Sequence, residues 1–387
     1  MFPPWRRQLP VASPLDASML AGALRDVAAG RDRSSEVRAM LHAQFGGEEI
    51  YLTDSGTSAL VLALRLVAKP GEIVAMPAYA CVDLIAAARY ANVRVSLYDI
   101  DPHTLSPDLD SVREVLAAPA EQPVAILVAQ LYGYPADVPG VRDLAHARGI
   151  RVIEDSAQHA GATLHGKPAA TTGDVAILSF GRGKGTTGGR GGALIVHASD
   201  LAARAREDIH LAPPASGARD LIVATASWAL GRPSLYAIPS AIPWLHLGET
   251  VYHDAHEPEA MPKAAAALLM RTLREAPLAL ERRRANAAAL RATAVGSRRS
   301  IDPLENGAPG FLRFPVVASR MTPRPALGIV RGYRRPLGEE EMLQAILVQE
   351  HSAYPGAQAL AAALFTLPTH HLMTSADRNT LVRWMQA

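Results

Sequence analysis

A carboxylate and an amine at the ends of two strand-like runs are the residues best suited to chemistry in this 387-residue chain. Arg151–Glu154 and Val175–Phe180 have the short apolar pattern of buried β-strands, and each run ends in polar residues and glycine. Asp155 directly follows the first run, and Lys184 lies just beyond the second. Because open α/β sheets bind ligands at the carboxyl ends of parallel strands, the pattern predicts that these two side chains share a site.

One cofactor, pyridoxal 5'-phosphate, would use both residues and two of their neighbours. A lysine amine forms a Schiff base with it, and a carboxylate keeps its pyridine nitrogen protonated, so that the ring accepts electrons. Gln158 lies one turn beyond Asp155, and Ser179 offers a hydroxyl for the phosphate five residues before Lys184. We therefore predict Lys184 and Asp155 as catalytic residues that also bind the cofactor, with Gln158 and Ser179 as further cofactor-binding residues.

The scarcity of lysine supports a chemical role for Lys184. Lysine occurs only at positions 69, 167, 184 and 263, whereas arginine supplies the other permanent positive charges. A Schiff base requires an amine that can lose its proton, which a guanidinium cannot do. A lysine kept in a glycine-rich loop of such a chain therefore indicates chemistry rather than a general surface charge.

The same stretch resembles the DegT/DnrJ/EryC1/StrS family of sugar aminotransferases. The resemblance rests on E-D-x-A-Q at residues 154–158, G-D at 173–174, S-F-x-x-x-K at 179–184 and the Thr-Thr-Gly and Gly-Gly that follow, and it extends in patches from about residue 45 to the C-terminus. It implies a fold-type-I pyridoxal-phosphate transferase of the α/β class. It also implies an aminotransferase that moves an amino group from an amino acid, by analogy glutamate, to a carbonyl acceptor such as a nucleotide-linked keto sugar.

A glycine and small hydroxyl residues follow the strand-like run Glu49–Leu52, at the start of an apolar helix pattern. The first N–H groups of a helix have no partner within it and bind anions, although an ordinary helix cap would use the same residues. The family has a phosphate loop with the pattern S-G-T-x-A-L at this place. The resemblance thus implies that Gly56, Thr57 and Ser58 bind the cofactor phosphate.

Three positions around the expected site depart from the family pattern. The family places an aromatic residue that stacks on the cofactor ring where this chain has Cys81, so either Tyr79 supplies a ring or the cofactor is held differently, with the Cys81 thiol against its face. Arg190 replaces a glutamate before two glycines, and Thr250 is the nearest substitute for an asparagine that a partner subunit supplies. The departures leave room for a non-sugar substrate of a transaminase, lyase or decarboxylase, and for a non-catalytic binding partner of the same fold.

Strand-like and helical patterns alternate through the first half of the chain, which predicts a mostly parallel sheet with helices on both faces. We place a large cofactor-binding domain in residues 1–262 and a smaller C-terminal α/β domain in residues 263–387. Residues 208–262 lose the alternation and are apolar, so we expect this segment to cover the site or to form a dimer contact. The resemblance implies a homodimer with shared active sites.

Composition and motifs narrow the remaining expectations. A net charge of +2 gives no case for a nucleic acid partner, and a single cysteine allows no intrachain disulfide and no thiolate metal site. The spacing of His253 and His256 matches no standard zinc motif, so no metal is expected. Gly183, Gly185 and Gly188 match the dinucleotide fingerprint, but a strand-like run follows where that motif needs a helix.

Location and partners follow from what the chain lacks. The most membrane-like segment, residues 221–247, is interrupted by arginine and prolines, and the N-terminus has no pattern of a secretory signal. We therefore expect a cytoplasmic protein with no membrane partner. Its expected partners are a small-molecule amino donor and a carbonyl acceptor.

Overall fold

The computed structural model of this chain describes residues 6–118, 121–242, 251–293, 298–318, 322–348 and 353–386. The helices are α1 (Ala17–Ala28), α2 (Ser34–Phe45), α3 (Gly56–Val67), α4 (Asp83–Tyr90), α5 (Leu109–Leu116), α6 (Val138–His146), α7 (Ser199–Asp208), α8 (Ala218–Leu230), α9 (Ala237–Ser240), α10 (Lys263–Arg291), α11 (Glu341–Gln344), α12 (Pro355–Ala363) and α13 (Ser375–Gln386). The strands are β1 (Glu49–Thr53), β2 (Ile73–Pro77), β3 (Arg94–Tyr98), β4 (Ala125–Ala129), β5 (Arg151–Asp155), β6 (Thr163–Leu164), β7 (Lys167–Pro168), β8 (Val175–Ser179), β9 (Gly192–Val196), β10 (Arg298–Ser300), β11 (Gly307–Ala308), β12 (Phe314–Ala318), β13 (Val330–Arg331) and β14 (Leu364–Leu367).

A seven-stranded sheet with the order β1-β9-β8-β5-β4-β2-β3 forms the centre of the fold. Neighbours from β3 through β8 pair in parallel, and every residue of β2 and β4 is buried because helices cover both faces. The predicted α/β class with a mostly parallel central sheet is confirmed.

Strand β9 runs antiparallel to both of its neighbours, β8 and β1. A loop without a helix joins β8 to β9, and such a connection can return the chain only to an antiparallel position, since a parallel neighbour needs a long crossover. This loop contains Lys184. The strand that follows its glycines is the feature that excluded a dinucleotide-binding unit.

The second half of the chain forms a separate four-stranded antiparallel sheet with the order β10-β12-β14-β13. The long helix α10 leads into it: its N-terminal part packs with the buried side chains of α1 and α2, and Ala287 and Leu290 near its end pack with β12 and α13. The predicted boundary between residues 262 and 263 coincides with the start of α10. As a division into domains it stays a prediction.

The apolar segment 208–262 is partly helical. Leu221 and Ala224 of α8 pack against Met19 and Leu20 of α1, which accounts for part of the apolar character of the segment. Residues 243–250, including Thr250, lie outside the described part of the chain. In that described part, none of the helices combines the length and the hydropathy needed to cross a membrane.

Strand β5 carries a buried carboxylate next to the candidate catalytic one. Glu154 is 1% exposed and accepts hydrogen bonds from the Gln130 amide, the Ser156 hydroxyl and the backbone N–H groups of Ala170, Thr172 and Gly173. An ionised carboxylate can accept this many bonds because it has no donor of its own. Glu154 thus fixes residues 170–173 against the end of β5.

We predict that Glu154→Gln destabilises the fold. The glutamine amide would turn an NH₂ group toward backbone N–H donors, so we expect the free energy of unfolding in urea to fall by roughly 3 kcal/mol. The exposed Glu114→Gln is the matched control. An unchanged unfolding midpoint for Glu154→Gln would contradict this role.

Candidate functional site

Asp155 and Lys184 lie close enough for their charges to interact, but they do not form an ion pair. Asp155 ends β5 and is 9% exposed, and its carboxylate accepts the N–H of Ala157 at 2.9 Å. Burial raises the pKa of Asp155; the Ala157 N–H and the Lys184 charge oppose that rise, and Asp83 adds to it. The site therefore holds a buried carboxylate, and the groups around it offset only part of the free energy that its burial costs.

Lys184 lies in the β8–β9 loop, and the N-terminal arm holds its backbone. The Ser13 hydroxyl donates to the Lys184 carbonyl at 2.9 Å. Within the described residues, the Lys184 amine makes no hydrogen bond and no ion pair. Its backbone is fixed while its amine is left available.

The N-terminus of α3 faces the end of β8 at very short range. A Cβ on Gly56 would lie 2.7 Å from Ser179 Cβ and 2.8 Å from Ser179 Oγ, so this approach requires glycine. Gly56 and Thr57 are partly exposed in the first turn of the helix, where N–H groups have no partner within the helix. The structure thus brings the predicted Gly56, Thr57 and Ser179 together.

Ser58 differs from its neighbours. It is 2% exposed, its N–H is satisfied by the Ser55 hydroxyl at 3.0 Å, and its own hydroxyl lies 2.8 Å from the same oxygen. Ser55 is therefore an ordinary N-cap, the alternative that the sequence left open for this motif. Both polar groups of Ser58 are used inside the protein, so only Gly56 and Thr57 remain as candidates for the predicted phosphate contact.

Tyrosines surround Cys81, the residue that replaces the family's aromatic. Tyr79 is fully buried, and its hydroxyl accepts the N–H of Tyr333 at 3.0 Å, so Tyr79 is not free to turn toward a ligand. The rings of Tyr132 and Tyr333 stack with centroids 6.0 Å apart. Burial and the nearby Asp83 keep the pKa of the Cys81 thiol well above its usual range, so Cys81 is a neutral group beside Lys184.

Gln158 positions two of these tyrosines. Its Oε1 accepts the N–H of Tyr132 at 3.1 Å, and its Nε2 donates to the Tyr333 hydroxyl at 2.7 Å. The amide thus links β5 to a segment that lies far along the chain. Its direct contact with a cofactor stays a prediction.

Arg190 pairs with a buried carboxylate directly before the predicted phosphate loop. Its Nη2 lies 2.7 Å from Oδ2 of Asp54, which is 0% exposed, and its Nε donates to the Asp54 carbonyl at 3.1 Å. His256, considered above as a metal ligand, places Nε2 2.8 Å from the same carboxylate oxygen. Burial opposes ionisation, yet hydrogen bonds from Ser58, His256 and the Glu259 N–H hold the pKa of Asp54 below its ordinary value.

These residues fit pyridoxal phosphate. The neutral Cys81 thiol and a partly exposed tyrosine offer apolar contact for a ring. The buried Asp155 carboxylate can pair with a cation, and the unpaired Lys184 amine lies near it. The N-terminus of α3 beside the Ser179 hydroxyl suits the phosphate. Asp155 is the strongest support for this cofactor, because a protonated pyridine nitrogen would offset the free-energy cost of burying its carboxylate. Asp155, Lys184 and Cys81 would hold the ring, and Gly56, Thr57 and Ser179 the phosphate.

Sequence reasoning missed three residues around the site: Asp83, Tyr333 and Arg313. Asp83 lies near Asp155 and Cys81, and Tyr333 and Arg313 come from the second half of the chain. Their positions depend on long-range packing, so local spacing gives no signal for them.

We predict that Asp54→Asn lowers stability by about 3 kcal/mol at neutral pH, because a neutral amide would replace the fully buried carboxylate that pairs with Arg190 and His256. The pKa of Asp54 is depressed, so its contribution is present above its ordinary value of 3.8 and is lost as the pH falls through the folded value. The stability difference between wild type and Asp54→Asn should therefore shrink in acid. Asp110→Asn, an exposed paired aspartate, is the control, and a difference that does not change between pH 7 and pH 3 would rule out this ionisation.

Comparison with known proteins supports the family resemblance that the sequence predicts. A model of the DegT/DnrJ/EryC1/StrS aminotransferase family matches residues 33–212. The chain is 33% identical over 177 residues to the dTDP-4-dehydro-2,3,6-trideoxy-D-glucose 4-aminotransferase of Saccharopolyspora spinosa, a match that covers 46% of this chain and 45% of that protein. It is 36% identical over 151 residues to the L-glutamine:2-deoxy-scyllo-inosose aminotransferase of Streptoalloteichus tenebrarius, covering 39% and 35% of the two chains. These matches span less than half the length of each relative.

Solved structures share the fold over nearly the whole chain. The aminotransferase TlmJ from Streptoalloteichus hindustanus superposes with a TM-score of 0.77 at 24% identity, covering 98% of both chains. The PLP form of the sugar aminotransferase Spr1654 from Streptococcus pneumoniae gives a TM-score of 0.76 at 17% identity, covering 98% of both chains. The predicted resemblance is confirmed: residues 33–212 of this chain match the model of the DegT/DnrJ/EryC1/StrS aminotransferase family.

Proposed function

We propose that this protein is a pyridoxal-phosphate-dependent aminotransferase that moves an amino group from an amino acid, with glutamate as the expected donor, to the carbonyl group of a cyclic acceptor. The observation that carries the proposal is the free Lys184 amine held near the buried Asp155 carboxylate without an ion pair between them. Two opposite charges so placed would normally close into contact. Their separation suits a ring that each of them binds at a different edge.

Each side chain has a defined task in such a reaction. The cofactor, when bound, draws off the electrons that are released at the donor's Cα. Lys184 Nζ accepts a proton from that carbon and returns one during transfer, since it is the one amine of the site and is unpaired in the described structure. Asp155 holds the proton of the ring nitrogen in place. The Tyr132–Tyr333 stack and the neutral Cys81 limit the access of water.

A nucleotide-linked keto sugar is the acceptor we favour. The relatives described above are named for a dTDP-linked dehydro sugar and for an inosose, and both of these compounds are ring ketones. The differences at Cys81 and Arg190 keep a non-sugar ring ketone as the second candidate. The roles of the individual site residues and the cytoplasmic location stay predictions.

We also propose that the active form is a homodimer built on the segment 208–262. Six of the eight exposed large hydrophobic side chains in the described part of the chain belong to this segment: Ile222, Val223, Leu230, Leu235, Ile238 and Val251. Ile222 is 71% exposed and Ile238 is 59% exposed. A second copy of the chain would remove this surface from water.

We predict that wild-type protein incubated with pyridoxal phosphate is yellow and is bleached by borohydride, with the mass of the cofactor added at Lys184. Lys184→Arg should be colourless and should transaminate about a hundredfold more slowly or worse, because it has no amine to react or to carry the proton. Absorbance spectra and mass spectrometry measure both effects. Lys167→Arg, at an exposed lysine in β7, is the control, and a yellow, active Lys184→Arg would refute the assignment.

We predict that Ile222→Glu combined with Ile238→Glu converts the dimer to a monomer, because like charges would be buried against each other across the interface. Sedimentation velocity at micromolar concentration gives the mass. The control is Leu24→Glu, at a leucine of α1 that is 58% exposed outside the segment. A double variant that sediments as wild type would place any interface elsewhere.

A further inference from the structure

The tip of the β8–β9 loop, residues 182–186, is held by a segment that lies far away in the sequence. The base of the loop is fixed by α10, since the Thr272 hydroxyl donates to the Thr187 carbonyl at 2.8 Å. Across the described chain, the backbone of the tip receives one hydrogen bond from outside the loop, that of the Ser13 hydroxyl to the Lys184 carbonyl at 2.9 Å. Ser13 is therefore the group that fixes the tip.

The tip is packed between two other segments. A Cβ on Gly183 would lie 2.9 Å from Val11 Cγ1, and a Cβ on Gly185 would lie 2.8 Å from Ala160 Cα. Glycine on both sides of Lys184 permits these close approaches, but it also gives the tip the largest backbone freedom that a residue can have. The place of the Lys184 backbone thus depends on its contacts rather than on stiffness of the loop itself.

The N-terminal arm, residues 6–14, is anchored on parts of the protein other than this loop. Arg6 pairs at 2.7 Å with Asp377, which is fully buried in the second half of the chain. The backbone N–H of Gln8 donates to the Ala326 carbonyl at 3.0 Å. The arm therefore has a fixed place that does not depend on the β8–β9 loop.

Two buried prolines limit the freedom of the part of the arm that contacts the loop. Pro10 and Pro14 lie on either side of residues 11–13. Proline fixes its own φ and restricts the residue before it, so this part of the arm has few conformations available. Beyond Pro14, the side chain of Asp16 caps α1. The hydroxyl at position 13 is thus presented by a segment that is fixed at both of its ends.

We propose that Ser13 is a positioning residue for Lys184. This inference rests on the proposed function, in which Lys184 Nζ takes a proton from the donor and returns one. The hydrogen bond from the arm fixes the backbone from which the amine extends, so that Nζ returns to the same place for each proton transfer. A reacting group that is misplaced by roughly 1 Å can slow an enzyme about a hundredfold. Ser13 acts only through Lys184, because its hydroxyl is used on the backbone.

The first test needs no cofactor. Full-length protein free of pyridoxal phosphate is acetylated with acetic anhydride, and mass spectrometry gives the rate at Lys184 relative to that at the exposed Lys167. We expect Ser13→Ala to raise this ratio about threefold to tenfold, because a released tip exposes the amine to the reagent. Ser13→Thr keeps the hydroxyl and should keep the wild-type ratio, as should Ser35→Ala at an exposed serine of α2.

The second test separates positioning from a general structural role. Protein loaded with pyridoxal phosphate is mixed rapidly with glutamate and with other amino acids, and the loss of yellow absorbance gives a limiting rate and a half-saturating concentration. We expect Ser13→Ala to lower the limiting rate about tenfold and to leave the half-saturating concentration unchanged, because the amine is misplaced while donor binding is intact. The urea unfolding midpoint should also stay unchanged, and Ser13→Thr should restore the rate.

The two tests fail in different ways. Equal acetylation ratios in wild type and Ser13→Ala would overturn the proposal. It would also be overturned by an unchanged limiting rate, by a Ser13→Thr variant as slow as Ser13→Ala, or by a slower rate that comes with a lower unfolding midpoint. A wild type that takes up no cofactor, or that is yellow but reacts with no amino acid, would defeat the proposed function; the acetylation ratio alone would then decide whether Ser13 holds Lys184.

Discussion

The interaction on which this site depends is that between a desolvated carboxylate and a cation kept at a distance. Asp155 is buried at the end of β5, and its charge is stabilised only by the Ala157 N–H and by the nearby Lys184 amine. Complete pairing would lower the energy of the empty protein and leave nothing for a ligand. The surrounding elements hold the two groups apart: Glu154 fixes the end of β5, and Ser13 fixes the backbone of Lys184.

Much of the fold follows from local pattern. The strand-like runs that begin at Arg151 and Val175 are both strands of the central sheet, because continuous apolar stretches bounded by polar residues suit strands that helices cover on both faces. The local pattern is a weaker signal for short amphipathic helices, and it did not predict α5 or α7. The direction of β9 also could not be read locally, since it depends on what joins it to β8.

The candidate site likewise contains residues that the sequence could place and residues that only the fold could place. Asp155, Gly56 and Ser179 each lie at the end of a strand or the start of a helix, and Lys184 lies in the loop that follows β8; sequence can locate all of these places. Ser58 follows from the same motif but is turned inward by the cap of Ser55. Gln158 was recognised from its spacing, yet its observed partners are two tyrosines that only the fold could identify.

The departure at Arg190 has a structural reason that sequence alone could not supply. Its guanidinium satisfies Asp54, a carboxylate that is fully buried directly before the phosphate loop, so the positive charge belongs to the scaffold below the loop. The residues that contact Asp54 come from around positions 190 and 256, far apart in the chain. The positive charge at position 190 is therefore explained only when its partner Asp54 is known.

The isolation of Lys184 among so many arginines has a spectroscopic consequence. Reductive ¹³C-methylation modifies primary amines and ignores guanidinium groups, and this chain offers lysines only at positions 69, 167, 184 and 263 besides its terminal amine. A methylated sample would thus give a handful of NMR resonances, with that of residue 184 reporting from the candidate site and the others serving as internal references. Because lysine is so scarce, the resonance of residue 184 can be followed with little overlap as ligands enter the site.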